Sequence, residues 1–314
     1  MKKILLNGVD GNFGSVAAQV LLDRYPHTDL IFTAPTEKGL KKYSDMGIET
    51  RIANFNSPED LIKTFSGADT IVLISMPFVG GKRRAAHKSA IDAAVKAGVD
   101  RIIYTSIVGA GTEGIDAYEV NDHVWTEAYI KSQPIHYLIM RNSQYAEAIV
   151  ASFLEAYENQ GGVLTNNMGD GQMAFISRDD CAAAAAFAAM SDWQDRVVNV
   201  NGTELMTIAR FLEIASSVTG KKVAYQYVTD EENYAQFDAL GVPRTTEGEW
   251  AETAKNFPFC SDGMVTFGRA IRLGQMAVKT DDFEMLTGRA PLSVREIFQR
   301  IDEHMIGNRV STDN

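Results

Sequence analysis

The chain has 314 residues, 45% of them hydrophobic and 23% charged, which is the balance of a folded protein long enough for one large domain or a domain carrying a lobe. Its net charge of −11 opposes attraction to nucleic acid or an anionic membrane face, since both need clustered Lys and Arg. Two cysteines, five scattered histidines and no apolar run of bilayer length indicate a reduced, cytoplasmic protein with no structural metal and no membrane partner.

In chain order, apolar runs at 2–7, 29–34, 49–54, 70–75, 101–106 and 136–141 predict strands separated by helical patterns. That alternation is the mark of a parallel sheet covered on both faces, so residues 1–145 read as a doubly wound α/β domain of Rossmann type. After the first strand comes the helical stretch SVAAQVLLDRY. SPEDLIKTF opens with Ser57 as its cap, Pro58 at the first helical position, and Glu59 and Asp60 in the first turn. GKRR at 81–84 reads as the solvated start of a helix, and KSAIDAAVKAGVD stops at Gly98. Past residue 145 the rhythm changes. SRDDCAAAAAFAAM, capped by Asp179 or Asp180, predicts an alanine-rich helix and VVNVNG a strand, so 175–202 return to the first domain. Residues 146–174 and 203–314 then form a smaller, mainly helical substrate lobe. Its stretch from Val242 to Met276 carries Trp250, Phe257, Phe259 and Phe267, which line a pocket or serve as plain core. The end, VSTDN, has a disordered composition.

NGVDGNFG sits directly after the first strand and before the first helix, where a dinucleotide fingerprint belongs. Gly8, Gly11 and Gly14 permit a tight turn and let backbone N–H groups approach a pyrophosphate that the helix N-terminus favours. The spacing is GxxGxxG rather than the commoner GxGxxG, and Asp10 sits inside it. At the end of the second strand, where an acid would bind a ribose diol and a base a 2′-phosphate, Thr33, Ala34 and Pro35 are neutral. Lys38, Lys41 or Lys42 reach a phosphate from the next helix or form a solvated face.

Several stretches taken together resemble the NmrA-like group of atypical short-chain dehydrogenases, and within it the NAD(P)H:quinone oxidoreductase branch. They run from GVDGNFG through NFNSPEDL, TIVLIS, GKRRAAHKSAIDAAVKAGVDRIIYTS, DHVWTE and MRNSQYAE to SRDDCAAAAA, VNVNG and DDFEMLTGRAPLS. The resemblance implies a pyrophosphate role for Gly8, Gly11, Asn12, Phe13 and Gly14, and adenine contacts from Asn54 and Phe55. It implies nicotinamide-side contacts from Ser75, Met76, Thr105 and Ser106, and a substrate border at Asn142 and Tyr145. Each of these is otherwise a strand-end residue satisfying its own backbone. There are three departures. The family's basic residue after the second strand is Ala34, a lysine near the nicotinamide ribose is Ala128, and a loop threonine is Asp10. An Asp10 carboxylate beside the adenosine ribose would repel a 2′-phosphate, so the cofactor is NAD(H) or NADP(H) with a lean to NAD(H). Lys38 stays among the cofactor residues, and Asp10→Thr is expected to favour NADPH over NADH.

Ordinary short-chain dehydrogenases protonate an alkoxide with a YxxxK pair. No tyrosine here has a lysine four residues on; Tyr137 has Arg141 there, inside a strand run. Without the pair, the site suits hydride addition to small acceptors that spread the resulting charge: quinones, enones, azo or iminium compounds. Asn142 or Tyr145 would stabilise the anion by hydrogen bonds. His123 is the candidate proton donor, with a pKa suited to acid catalysis near neutrality, against the alternative of a structural helix histidine; His87 is weaker. The rival function is a non-catalytic NAD(P)-binding redox sensor of NmrA type; under either reading the protein is a monomer or a homodimer. A second pocket beside the nicotinamide separates the two.

Overall fold

The computed structural model describes residues 2–246 and 259–305. Seven parallel strands make the main sheet: β1 (Ile4–Leu6), β2 (Leu30–Ala34), β3 (Glu49–Ile52), β4 (Thr70–Leu73), β5 (Arg101–Ile107), β6 (His136–Asn142) and β8 (Arg196–Val200). Their order is β3-β2-β1-β4-β5-β6-β8. The chain therefore winds outward in both directions from β1, and such an order opens a crevice at the carboxyl ends of β1 and β4.

β1, β2 and β4 are buried along their whole length, as continuous apolar strands covered on both faces must be. On one face Leu6, Phe32 and Ile103 pack against α1 (Asn12–Arg24) and α7 (Arg178–Met190). The alanines of α7 are small enough for this helix to lie close on the sheet, and Ala182, Ala184, Ala185 and Ala188 are fully covered. On the other face Leu5, Ile31 and Ile71 meet α3 (Pro58–Phe65), α4 (Gly81–Lys96) and α5 (Tyr118–Lys131). Gly98 follows α4 with a φ of 76°, the left-handed stop that its sequence predicts.

Two caps differ from expectation. Ser177, not Asp179 or Asp180, caps α7: its Oγ accepts from the Asp180 backbone N–H at 3.0 Å. The Asp180 carboxylate is engaged elsewhere, by Arg289 and by the Leu292 N–H at 2.7 Å. Ser57 does occupy the position before α3, yet its hydroxyl donates to the Asp60 carboxylate at 2.6 Å instead of capping the backbone.

The remaining elements build a second core around Phe153, Phe211 and Phe298, stacked edge to face with centroids 5.3–5.5 Å apart. They include α6 (Ala146–Asn159), α8 (Ile208–Thr219), α9 (Asp230–Ala239) and helices Ser261–Arg272 and Val294–Gln299. A parallel ribbon of β7 (Val163–Asn166) and β9 (Ala224–Tyr227) was not anticipated, since neither four-residue stretch carries an apolar run. Helix Asp282–Thr287 docks back on the sheet: Phe283 joins the core beneath α1 and α7. Cys181 and Cys260 are both free thiols and buried. Trp250, Phe257 and the VSTDN end lie outside the described residues. Phe259 packs edge-on against Phe237. Among the described residues no helix is long and apolar enough to cross a membrane.

Candidate active site

The glycine loop lies at the floor of a groove of about 570 Å³ over the carboxyl ends of β1, β2 and β4. Gly8 adopts a φ of 66°, and a Cβ on Gly14 would lie 2.0 Å from the Gly8 carbonyl oxygen. Only glycine lets the first turn of α1 approach the strand so closely. No side chain caps α1, and no acidic residue occupies its first turn. The positive end of its dipole is thus left for an anion. Gly11, Asn12, Ala34, Asn54, Phe55, Ser75 and Met76 line the same groove, which fits a dinucleotide with its pyrophosphate over the helix start.

Two residues assigned to this groove lie elsewhere. Asp10 is 4% exposed and lines neither cavity. Its charge faces the buried Tyr43 phenol, whose pKa is raised mainly by burial and further by Asp10. The Asp10 carboxylate is therefore buried behind α2 (Glu37–Asp45), through Tyr43, and is not among the groups lining the groove where the ribose was expected. Lys38 is exposed in a separate recess beyond Ile52, together with Glu37 and Lys41, the last paired to Asp45 at 2.8 Å.

A second cavity, of about 440 Å³, adjoins the first through Phe13, Ile74, Ser75 and Met76. Thr105, Ser106, Asn142, Tyr145 and His123 all line it, as does Phe267 from the segment expected to wall a pocket. The Asn142 amide donates to the Tyr145 oxygen at 3.3 Å, while Asn142 Oδ1 is buried without a partner. Burial pushes the Tyr145 phenol well above its ordinary value, so it stays protonated. Thr105 Oγ1 accepts from the Ser75 N–H at 2.8 Å, and the Ser106 hydroxyl donates to Glu127 at 2.7 Å. Glu127 is held in turn by both arms of Arg141, at 2.8 and 2.6 Å. Ala128, next along α5, is exposed and lines neither cavity. A lysine there would not face the cofactor.

Below this cavity lies a polar cluster that sequence reasoning passed over. Arg83, read as part of a solvated helix start, has a side chain only 7% exposed and lines the cavity beside His123. Lys82 and Arg84 are the solvated ones. Arg83 Nε donates to the Met76 carbonyl at 3.0 Å, and its Nη1 stands 3.5 Å from His123 Nε2. The Tyr104 hydroxyl is 2.8 Å from His123 Nδ1 and 3.4 Å from His87 Nδ1. Burial, then the Arg83 charge and then His87, hold the pKa of His123 well below 6.5. A near-neutral imidazolium acid, as anticipated, is thus excluded: desolvation beside a guanidinium keeps the ring neutral. The signal available in the sequence was spacing, since Arg83 and His87 fall four residues apart on one helical face.

A doubly wound sheet with a glycine-loop groove opening into a second, mostly apolar cavity defines a dinucleotide-dependent α/β protein with room for a small second molecule. The chain belongs to the NmrA-like family, whose model matches residues 1–259. It is 28% identical over 241 residues to quinone oxidoreductase 2 of Escherichia coli, covering 76% of this chain and 82% of the relative. It is 22% identical to an NmrA-like family domain-containing oxidoreductase of Aspergillus flavus, covering 99% and 97%. Among solved structures, Citrobacter sp. triphenylmethane reductase complexed with NADP(H) superposes with a TM-score of 0.80 at 26% identity, covering 95% of this chain and 99% of that one. The E. coli NADPH-dependent quinone oxidoreductase complexed with NADPH gives a TM-score of 0.84 at 24% identity, with the same coverage.

Proposed function

We infer that the protein is an NAD(P)H-dependent oxidoreductase that delivers hydride to a small conjugated acceptor. The observation carrying this is the junction of the two cavities at Phe13, Ile74, Ser75 and Met76, which brings a second molecule beside the nicotinamide end of the groove. A pure redox sensor has no need of the second cavity. The relatives support the reading by their named activities on quinones and triphenylmethane dyes. A bound reduced nicotinamide supplies the hydride; the chain positions both partners and steadies the charge that arises.

Within that reading, residues 1–145 with 175–202 hold the dinucleotide, while 146–174 and 203–314 wall the acceptor. Gly8, Gly11, Asn12 and Gly14 take the pyrophosphate, Asn54 and Phe55 flank the adenine, and Ser75, Met76, Thr105 and Ser106 border the nicotinamide. Asn142 and Tyr145 offer hydrogen bonds to the acceptor, and the Tyr145 proton has no acceptor within the described residues. NADH is the preferred partner: the groove is neutral at Ala34, Pro35 and Ile52, where a 2′-phosphate would want a cation. The E. coli quinone oxidoreductase is NADPH-dependent and the Citrobacter reductase is seen in complex with NADP(H), so separate fluorescence titrations of NADH and NADPH test the preference. Oxidation of the bound form by a panel of quinones, enones and imines then tests the activity. Binding with no oxidation by any acceptor would leave the sensor.

A further inference from the structure

Arg83 and Glu119 are the charged side chains that line the second cavity among the described residues, and they are matched differently. The Arg83 guanidinium is fully engaged: Nε donates to the Met76 carbonyl at 3.0 Å, Nη1 hydrogen-bonds His123 Nε2 at 3.5 Å, and the buried Asp122 carboxylate stands 4.0 Å away. Glu119 is half-buried and has neither a hydrogen bond nor an ion pair with any described residue. Its place in the first turn of α5 suits an acidic side chain but supplies no cation. A Cβ on Gly263, another residue of the wall, would lie 3.6 Å from Glu119 Oε1, so the bare glycine leaves room beside the carboxylate.

The rest of the wall suits an organic cation. Phe13, Tyr145 and Phe267 supply aromatic rings, the first two with centroids 6.4 Å apart, and aromatic rings attract positive charge. The cavity also lacks an acid. Burial keeps the Tyr145 phenol protonated, and burial followed by the Arg83 charge keeps His123 neutral. Reducing a neutral carbonyl compound there creates two opposite charges, an oxygen anion and an oxidised nicotinamide cation, where water is scarce. Reducing a cation only moves one positive charge from the acceptor to the nicotinamide, which costs less in an apolar cavity. An unpaired carboxylate at the wall faces that charge both before and after the transfer.

We propose that Glu119 is a charge-selecting residue that makes this cavity favour cationic conjugated acceptors of the iminium class over neutral ones. The proposal rests on the reductase reading above and narrows its acceptor. In the reaction the iminium carbon receives the hydride of the reduced nicotinamide and forms a C–H bond. The C=N π pair withdraws onto nitrogen as a lone pair, leaving a neutral amine and the oxidised dinucleotide. No proton enters or leaves, which matches a wall without an acid. The product has lost the charge that Glu119 held, so it leaves the cavity more readily than the acceptor did.

The test compares two ligands of the same shape, the cation N-methylisoquinolinium and neutral methylnaphthalene, bound to the protein with reduced dinucleotide in place. Glu119→Gln, which keeps the shape of the side chain and removes its charge, should lower the cation-to-neutral affinity ratio by about tenfold or more, the scale of one close charge pair at a partly buried site. Should that variant fail to fold, Glu119→Ala carries the same test, since alanine is the best helix former for that turn. Glu119→Asp, with the charge kept but drawn back by one methylene, should give a smaller loss than Glu119→Gln. Turnover reads the same preference: the ratio of kcat/KM for N-methyl-dihydroisoquinolinium to that for naphthoquinone should fall about tenfold in Glu119→Gln. An unchanged affinity ratio in Glu119→Gln, or equal losses for cation and neutral ligand, overturns the charge-selecting role. Failure of the wild type to oxidise NADH or NADPH with either acceptor would instead remove the reductase reading, while the affinity ratio would still decide whether Glu119 selects cations.

Discussion

Gly11→Ala separates the two jobs of the glycine loop, fitting the fold and admitting the dinucleotide. Gly11 has φ −90° and ψ 166°, an extended conformation open to alanine. A Cβ there would meet only the Gly8 carbonyl oxygen, at 3.5 Å, which is ordinary contact. The substitution should therefore leave stability unchanged or raise it by about 0.4–1 kcal/mol through the unfolded chain, a gain of a few degrees at most in a chain of this size. The new methyl group projects into the groove that Gly11 lines. Pushing a pyrophosphate off its backbone donors should weaken binding by about 10–100-fold, equivalent to about 1.4–2.7 kcal/mol. Gly14→Ala is the contrast: with a Cβ 2.0 Å from backbone oxygen, it should lose about 1–3 kcal/mol of stability as well. Thermal melts and fluorescence titration of both reduced dinucleotides read the two effects separately. Wild-type affinity in a well-folded Gly11→Ala protein would show that the pyrophosphate does not cross this loop.

Other outcomes follow from the same geometry. Tyr145→Phe removes a hydroxyl with an unshared proton and should cut turnover about tenfold or more with little change in dinucleotide affinity, checked by steady-state kinetics. Asp10→Thr should leave the NADH-to-NADPH affinity ratio unchanged, because the carboxylate is buried toward Tyr43; a changed ratio in titrations would place it at the ribose after all. His87 and His123 have folded pKa values below the unfolded value of 6.5. The unfolded chain then binds protons that the folded chain refuses, so their contribution is complete above pH 6.5 and is lost as pH falls from there toward about 3. Melting temperatures should drop over that window in the wild type and less steeply in His87→Gln. Over the range from about pH 6.5 to 9, with His87 and His123 neutral and Tyr104 and Tyr145 protonated, turnover should be flat.

Much of the fold was legible because its signals are local and repeated. Strands buried on both faces need unbroken apolar runs, and β1, β2 and β4 announce themselves that way; β3 and β8 lie at the two ends of the strand order and carry polar residues, and their place was legible from the alternation with helices. The ribbon of β7 and β9 did not, since VLTN and AYQY are short and half exposed and are held by pairing distant in sequence. The groove was legible in its glycines, whose requirement is backbone geometry. Side-chain direction was not. Asp10 lies in the right loop but turns inward, and Arg83 lies in a basic tetrapeptide but turns toward His123, because the packing of α2 and α5 decides both. The cluster of Arg83, His87, Tyr104 and His123 is one that only the folded chain brings together.

An anaerobic single-turnover mixture of the protein with bound reduced dinucleotide and one equivalent of a neutral naphthoquinone tests the central claim most directly. The account predicts loss of the reduced-dinucleotide absorbance with one quinone reduced per dinucleotide oxidised, at a rate that Gly11→Ala lowers through binding and Tyr145→Phe lowers in the bound complex. Tight dinucleotide binding with no oxidation, by this quinone or any other conjugated acceptor, would contradict it.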